Sequence, residues 1–399
     1  MKIRVGNMAG LVVFWFFSVL AIAKPAPLIV LSFDGFRWDY IDAVYTPNLD
    51  RIIAEGFRVK AMKPSFPSLT FANHFTLVTG QHPYHHGIVS NNFYDLALEK
   101  RYRMYRPEEV VSPEFYGGPA IWEVAREHGL QAAVYFWVGS EVKGREAEIF
   151  LPFDIETKPE TEIERLLQWA DETKPPNPAL MMAYFSFPDH QGHRFGPDSP
   201  QVVFAVQQLD LLMGVLIDGL EDLKREVNVL VVSDHGMARL KEPVMLVEDV
   251  EAAVGKDALI RCANNYSQLD VYLKPSAMDR IDAIMARLPK ASGFHWYRRE
   301  DVPFPTHRQR NGQIMGLADI GYEFKWRKGK PYVGAHGYNP NLSEMWAACF
   351  GMGPGFEAGS EIAMVQSVDV FSLMCHLLEL PAPATDGSLD VWRPVLARE

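Results

Sequence analysis

The chain has 399 residues, with 48 % hydrophobic and 22 % charged side chains and a formal net charge of -11. That composition excludes a disordered chain and leaves enough apolar material for a large core, with room for one α/β domain plus an insert. The acidic balance argues against nucleic-acid duplex binding, so a phosphate-handling site would need local positive charge, and bound metal is the obvious source.

The chain opens with Lys2 and Arg4, then an apolar run from Leu11 to Leu20, then the small-x-small triad Ala21-Ile22-Ala23. This pattern predicts residues 1–23 as a signal peptide and 24–399 as the mature domain. The run is too short and wrongly flanked for a membrane span, an uncleaved anchor being the alternative. Cleavage after Ala23 removes two bases and takes the net charge from -11 to -13. No second long apolar run is evident. The expectation is an exported protein, periplasmic or secreted, with no stable membrane span in its mature form.

Three continuous apolar runs each lead to an aspartate. Pro27 to Phe33 ends at Asp34, Leu180 to Pro188 ends at Asp189, and Val227 to Ser233 ends at Asp234. Such runs suit strands buried on both faces of a parallel sheet, whose functional crevice lies at the carboxyl ends of the strands. Helical patterns fall between them: Pro47–Gly56, Ala120–Gly129 ahead of a strand at Gln131–Phe136, Glu160–Ala170 and Ser199–Leu220. The alternation predicts an α/β fold with a mostly parallel central sheet and helices on both faces.

Between the first and second of these helices lies Pro64-Ser-Phe-Pro-Ser-Leu-Thr-Phe-Ala-Asn-His74. Its two prolines hold the approach extended, and a helix opens at Thr70 and runs to Val78, with Ser68 as the expected N-cap. A hydroxyl at a helix N-terminus sits among unpaired N–H groups, where an anion such as phosphate is welcome.

From about residue 240 to 330 the texture changes. Short strands at Ala258–Cys262 and Gln268–Leu273, a helix at Ser276–Leu288 and a basic stretch from Tyr297 to Lys328 predict an inserted α+β cap. The chain then returns with a strand at Met345–Gly351, a helix at Val368–Leu380 and a tail expected to wrap the surface. Cys262, Cys349 and Cys375 form at most one bridge.

The groups near the strand ends are of one chemical kind. Asp34, Asp189 with His193, Asp234 with His235, and His336 in Gly334-Ala-His-Gly-Tyr338 supply three carboxylates and three imidazoles. Oxygen and nitrogen ligands without thiolate suit zinc or another divalent transition metal, and the set is too large for one tetrahedral ion but right for two. Two metals imply in-line displacement at phosphorus. Thr70 is the candidate nucleophile, since metal coordination makes its alkoxide available. Asn91 could donate its amide N–H to the charged oxygens of the transition state.

These segments resemble the nucleotide pyrophosphatase/phosphodiesterase family of the alkaline phosphatase superfamily. The resemblance rests on Ser32-Phe-Asp-Gly-Phe-Arg37, Thr46-Pro-Asn-Leu49, Pro64 to His74, Thr79-Gly80 with His86-Gly-Ile88, Ser90-Asn-Asn-Phe93, Pro188 to Pro197, Ser233-Asp-His-Gly-Met237 and Gly334 to Tyr338, in the family's order. It implies an alkaline phosphatase-like fold and a phosphodiesterase catalytic domain over residues 24–399. It implies two zinc ions, one held by Asp34, Thr70, Asp234 and His235, the other by Asp189, His193 and His336. Thr70 would form a phospho-threonine intermediate, Asn91 would complete the oxyanion site, and Phe71 and Tyr184 would bracket a nucleobase. His190 would face substrate or support the site without being a ligand. The implied reaction is hydrolysis of nucleotide phosphodiester or pyrophosphate bonds, such as a nucleoside triphosphate to the monophosphate and pyrophosphate. Choline-type lipids or other non-nucleotide diesters are the alternative substrates, and the oligomeric state is left open. Thr70-Phe71 fits neither the modified Cys or Ser of sulfatases nor the Ser of alkaline phosphatase, and a non-catalytic binder would show gaps in the ligand set.

Overall fold

The computed structural model describes residues 25–398 except 155, 242, 243, 328, 330 and 331. The expected signal peptide at 1–23 lies outside the described residues. The core is an eight-stranded sheet in the order Ser360–Gln366, Phe57–Lys63, Ala347–Met352, Asn228–Val232, Leu28–Phe33, Leu180–Phe185, Ala132–Tyr135 and Ile149–Leu151. All neighbours are parallel except Ala347–Met352, which runs antiparallel to both of its partners. The Leu28–Phe33 strand is buried along its whole length, which is why its sequence is apolar without alternation.

Its side chains still divide by parity. Leu28 and Val30 join a core with the helices Thr70–Thr79, Ile121–Glu127 and Val370–Leu377. Ile29, Leu31 and Phe33 face the other way, onto Pro47–Glu55, Pro159–Ala170 and Pro200–Leu223. Two separate cores against one sheet make the three-layer α/β architecture.

Pro200–Leu223, expected as a helix over Ser199–Leu220, is the one helix among the described residues long and apolar enough to cross a membrane, which corrects the expectation of no second long apolar run. Its buried face carries Val202, Val206, Leu209, Met213, Leu216 and Ile217. Asp210 on the same face accepts the backbone N–H groups of Asn48 and Leu49. The helix is a core element.

The 240–330 segment contains a second sheet, four antiparallel strands in the order Leu259–Asn264, Gln268–Leu273, Ile314–Ala318 and Phe294–Arg298, with its own apolar core. The helix expected at 276–288 is broken: Pro275–Arg280 is a 3-10 turn and only Ile281–Met285 is α-helical. The segment's two ends are joined where Gly334 and Ala335 pair with Arg239 and Ala238. That short ribbon carries His336 back to the main sheet.

The tail and the cysteines complete the picture. The tail after Leu380 runs over the surface as expected but is pinned at two points, because Trp392 and Val395 are fully buried and the Trp392 indole N–H donates to the Asp369 carbonyl. All three cysteines are free, with Cys349 and Cys375 buried.

Candidate active site

Asp34 directly follows its strand, Asp234 stands two residues beyond the end of the adjacent parallel strand, and both are almost fully buried. Asp189 stands four residues beyond the end of its strand at Phe185, at the start of the helix Asp189–Phe195. Gly35 makes this convergence sterically feasible. Its φ is +68°, its N–H donates to Asp234 Oδ1, and a Cβ there would lie 2.8 Å from Asp189 Cβ. Only glycine tolerates both demands.

Thr70 is the first residue of its helix, but Ser68 is not the cap. The Ser68 hydroxyl donates to the Tyr338 carbonyl instead, and the N-cap position is Leu69, without a side-chain bond. The cap comes from elsewhere: Asn91 Oδ1 accepts the Phe71 N–H at 2.8 Å. That bond orients the Asn91 amide, with its oxygen spent on the helix.

The imidazoles are held in one common way. His193 Nδ1 donates to Gly334 O, His235 Nδ1 to Gly236 O and His336 Nδ1 to Ser68 O, at 2.8–2.9 Å. A carbonyl can only accept, so each Nδ1 carries the proton. Each Nε2 is thereby left as the atom offered to the site. His235 Nε2 lies 2.9 Å from Asp234 Oδ2, 3.6 Å from Asp34 Oδ1 and 3.2 Å from Thr70 Oγ1. His336 Nε2 lies 3.7 Å from Asp189 Oδ1, and His193 Nε2 3.5 Å from Asp189 Oδ2. The Nε2 atoms of His193 and His336 are 3.1 Å apart.

Two metal-sized clusters result, Asp34–Asp234–His235 and Asp189–His235–His336, with His235 reaching both. The fit to cations is visible in what lacks a partner. Asp34 Oδ1, Asp189 Oδ1 and Asp234 Oδ2 are buried carboxylate oxygens without a hydrogen-bond donor, an arrangement too costly to leave uncompensated. Burial, with Asp234 and Asp189 beside it, holds the Asp34 carboxyl well above its usual range. Burial likewise pushes Asp189 up to about 7. His193 is pushed down to about 4 by burial, and burial also holds His336 well below its ordinary value, which keeps both imidazoles neutral. Burial opposes charge on His235, yet Asp234 beside it raises that ring to about 9, so a cation would have to displace its second proton. Crowded carboxylates and imidazoles form a donor set suited to divalent transition metal.

A family model described as type I phosphodiesterase / nucleotide pyrophosphatase matches residues 28–339. The chain belongs to that family. Phosphodiesterases and pyrophosphatases are enzymes, and so is this chain. It is 33 % identical over 390 residues to an uncharacterized pyrophosphatase/phosphodiesterase of Schizosaccharomyces pombe, covering 91 % of this chain and 79 % of that protein. It is 33 % identical to the venom phosphodiesterase of Naja atra, covering 92 % of this chain but 46 % of that protein. The chain therefore spans less than half the length of the venom enzyme. Murine ectonucleotide pyrophosphatase/phosphodiesterase 5, solved as an inactive variant with AMP, superposes with a TM-score of 0.86 at 28 % identity, covering 93 % of this chain and 100 % of that one. The alkaline phosphatase-like fold expected from the sequence is the fold found.

In this family member Asp34, Thr70, Asp189, His193 and His336 line a cleft of about 840 Å³ that also exposes Phe71, Asn91, Tyr184 and His190, with Asp234 and His235 buried behind them. Phe71 has two surroundings, since it lines the cleft while packing in the core at 7 % exposure. The Tyr184 hydroxyl donates to Asp34 Oδ2, and its ring meets Phe136 edge-on at 5.2 Å and Phe153 at 6.2 Å. Phe153, 47 % exposed in the cleft wall, escaped the sequence reading because it sits in a loop with no periodic pattern. So did His74, one helical turn beyond Thr70. It is fully buried, its Nδ1 donates to the Thr70 carbonyl and stands 3.3 Å from Asp234 Oδ2, and its Nε2 is 2.7 Å from Ser32 Oγ. A histidine four residues after a hydroxyl on one helix face was the available signal.

Proposed function

We propose that this protein hydrolyses nucleotide phosphodiester and pyrophosphate bonds, releasing a nucleoside monophosphate, through a phospho-threonine intermediate on Thr70. The observation that carries the reading is the position of Thr70 Oγ1. It stands at a helix N-terminus, against His235, on the floor of a cleft with aromatic walls. Asp34, Thr70, Asp234 and His235 would hold one zinc ion and Asp189, His193 and His336 the other. Bound zinc would supply charge neutralisation and an acidified hydroxyl at Thr70.

The chain's own groups do the rest. Thr70 Oγ1 attacks phosphorus and the alcohol or phosphate leaving group departs in line; water then cleaves the Thr70 ester. Asn91, its oxygen tied to the Phe71 N–H, presents its amide N–H₂ to the equatorial oxygens. Phe71, Phe153 and Tyr184 provide flat apolar surface for a base. Export fits the basic-apolar opening of the sequence and the venom and ecto-enzyme names of its relatives, and residues 24–399 form the catalytic domain with 240–330 as its insert.

The test is product analysis on purified protein given ATP or bis-p-nitrophenyl phosphate, with and without chelator. AMP and pyrophosphate that vanish on chelation and return with zinc support the reading. Diester cleavage without ATP turnover would move the substrate to choline-type or other non-nucleotide diesters. No turnover of either would overturn it.

A further inference from the structure

Beside the main cleft lies a smaller cavity of about 240 Å³, whose lining includes Asn92, Arg101, Arg103, Tyr105, Arg261 and Trp326. Asn92, Tyr105 and Trp326 also line the main cleft, so the two spaces adjoin and share a wall. Three arginines around one small cavity stand out in a chain of net charge -11.

They are not equally free. Arg103 Nε donates to Glu109 Oε2 at 2.9 Å, so its charge is matched. Arg101, on the strand Lys100–Arg103, has no acidic partner among the described residues. Arg261, on the strand Leu259–Asn264, lays its guanidinium over the Tyr94 ring at 4.5 Å. Its Nε and Nη1 are buried and have no hydrogen-bond partner. A guanidinium cannot discard its proton to relieve this, and a buried unpaired donor carries a penalty that a bound acceptor removes. Tyr94 satisfies the face of the group and leaves its edge open.

We propose that Arg101 and Arg261 form a subsite for a second phosphate group of the substrate, an inference that rests on the phosphodiester reading above. Asn91 stands at the reacting phosphate and Asn92, the next residue, opens onto the arginine cavity. A phosphate linked to the scissile one is the anion that would bring charge to the adjoining cavity, and the planar guanidinium fork matches its oxygens. That phosphate belongs either to the polyphosphate chain of a nucleotide or to the next backbone unit of an oligonucleotide. The subsite favours substrates with more than one phosphate and contributes nothing to a single-phosphate ester.

The experiment compares full-length wild type with Arg101→Gln, Arg261→Gln and the double variant on three substrates. These are the p-nitrophenyl ester of thymidine 5′-monophosphate, ATP and a short oligothymidylate. The double variant is expected to lose about 10–100-fold in kcat/KM on a substrate with a second phosphate, chiefly through KM, while the p-nitrophenyl ester changes by less than about twofold. A loss confined to ATP assigns the site to the polyphosphate chain, and one confined to the oligonucleotide assigns it to the backbone. Arg261→Lys, which keeps the charge, should recover part of the loss, and thermal melts check that the variants fold. Equal losses on all three substrates, or none on any, would overturn the proposal. Wild type that cleaves none of them would sink the phosphodiester reading instead. Calorimetric binding of pyrophosphate then decides the subsite, which requires weaker binding to the double variant and is refuted by equal binding.

Discussion

His193 and His336 point their Nε2 atoms at each other from 3.1 Å, while a backbone carbonyl fixes the proton of each ring on Nδ1. Two lone pairs facing each other beside Asp189 are a repulsive arrangement unless a cation lies near both. His336→Ala should therefore lower bound zinc from two equivalents to one and weaken the remaining affinity by about 10–100-fold, as loss of groups around a metal commonly does. Metal content by elemental analysis after dialysis checks this. Two tightly held equivalents in the variant would show that His336 is not a ligand.

On the proposed mechanism His74 would act as a positioning residue. It touches no substrate space but braces the Thr70 carbonyl, Asp234 and Ser32 at once. Burial opposes charge on this ring, yet Asp234 beside it raises its pKa above the ordinary value. His74→Phe should reduce kcat/KM about 10–100-fold, with excess zinc restoring part of the loss. His74→Asn, which can still donate to the Thr70 carbonyl, should retain more activity. Equal damage in both variants, unmoved by zinc, would indicate a packing defect only.

His86 sets part of the acid limb of stability. It is fully buried, accepts the Ile88 N–H on Nδ1, and approaches Thr76 Oγ1 and the Ala72 carbonyl through Nε2. Burial pushes its pKa down to about 3. The unfolded chain, with an ordinary value near 6.5, binds the proton more tightly, so stability is present above about pH 6.5 and is lost as pH falls towards 3. His86→Gln should be less stable at pH 7 yet show a flatter decline between about pH 6.5 and 4, by roughly 2–4 kcal/mol over that interval. Urea unfolding at a series of pH values measures the slope, and parallel curves for both proteins would contradict this assignment.

The tail is a structural element. Trp392 meets Phe57 edge-on at 6.0 Å and closes the core under the sheet. Trp392→Ala should cost about 3–5 kcal/mol, within the range for removing a large buried side chain. A change under about 1 kcal/mol would mean the core closes without it.

The sequence carried the frame of the site because its signals are local. Strands buried on both faces read as unbroken apolar runs, so Asp34 falls at its strand end as expected and Asp234 one residue further out. Asp189 was displaced by three residues, because the apolar run continues through Phe187 and Pro188 after the strand has ended at Phe185. What escaped depends on contacts distant in sequence. Ser68 looked like a cap, but the Tyr338 carbonyl 270 residues away takes its hydroxyl. Tyr184 was read as a base-facing ring, and its hydroxyl proves to be bonded to Asp34, 150 residues earlier. The helix at 276–288 broke at Arg280, where a 3-10 turn meets a short α-helix in a segment of its own packing.

The most direct test of the account is one variant measured three ways. Thr70→Ala should bind zinc, melt within about 1 kcal/mol of wild type and lose at least about a thousandfold of its ATP and diester turnover. Folded, zinc-loaded protein without turnover is the result the account predicts. Folded, zinc-loaded Thr70→Ala that still releases AMP at a rate near wild type would contradict it, because the nucleophile would then lie elsewhere.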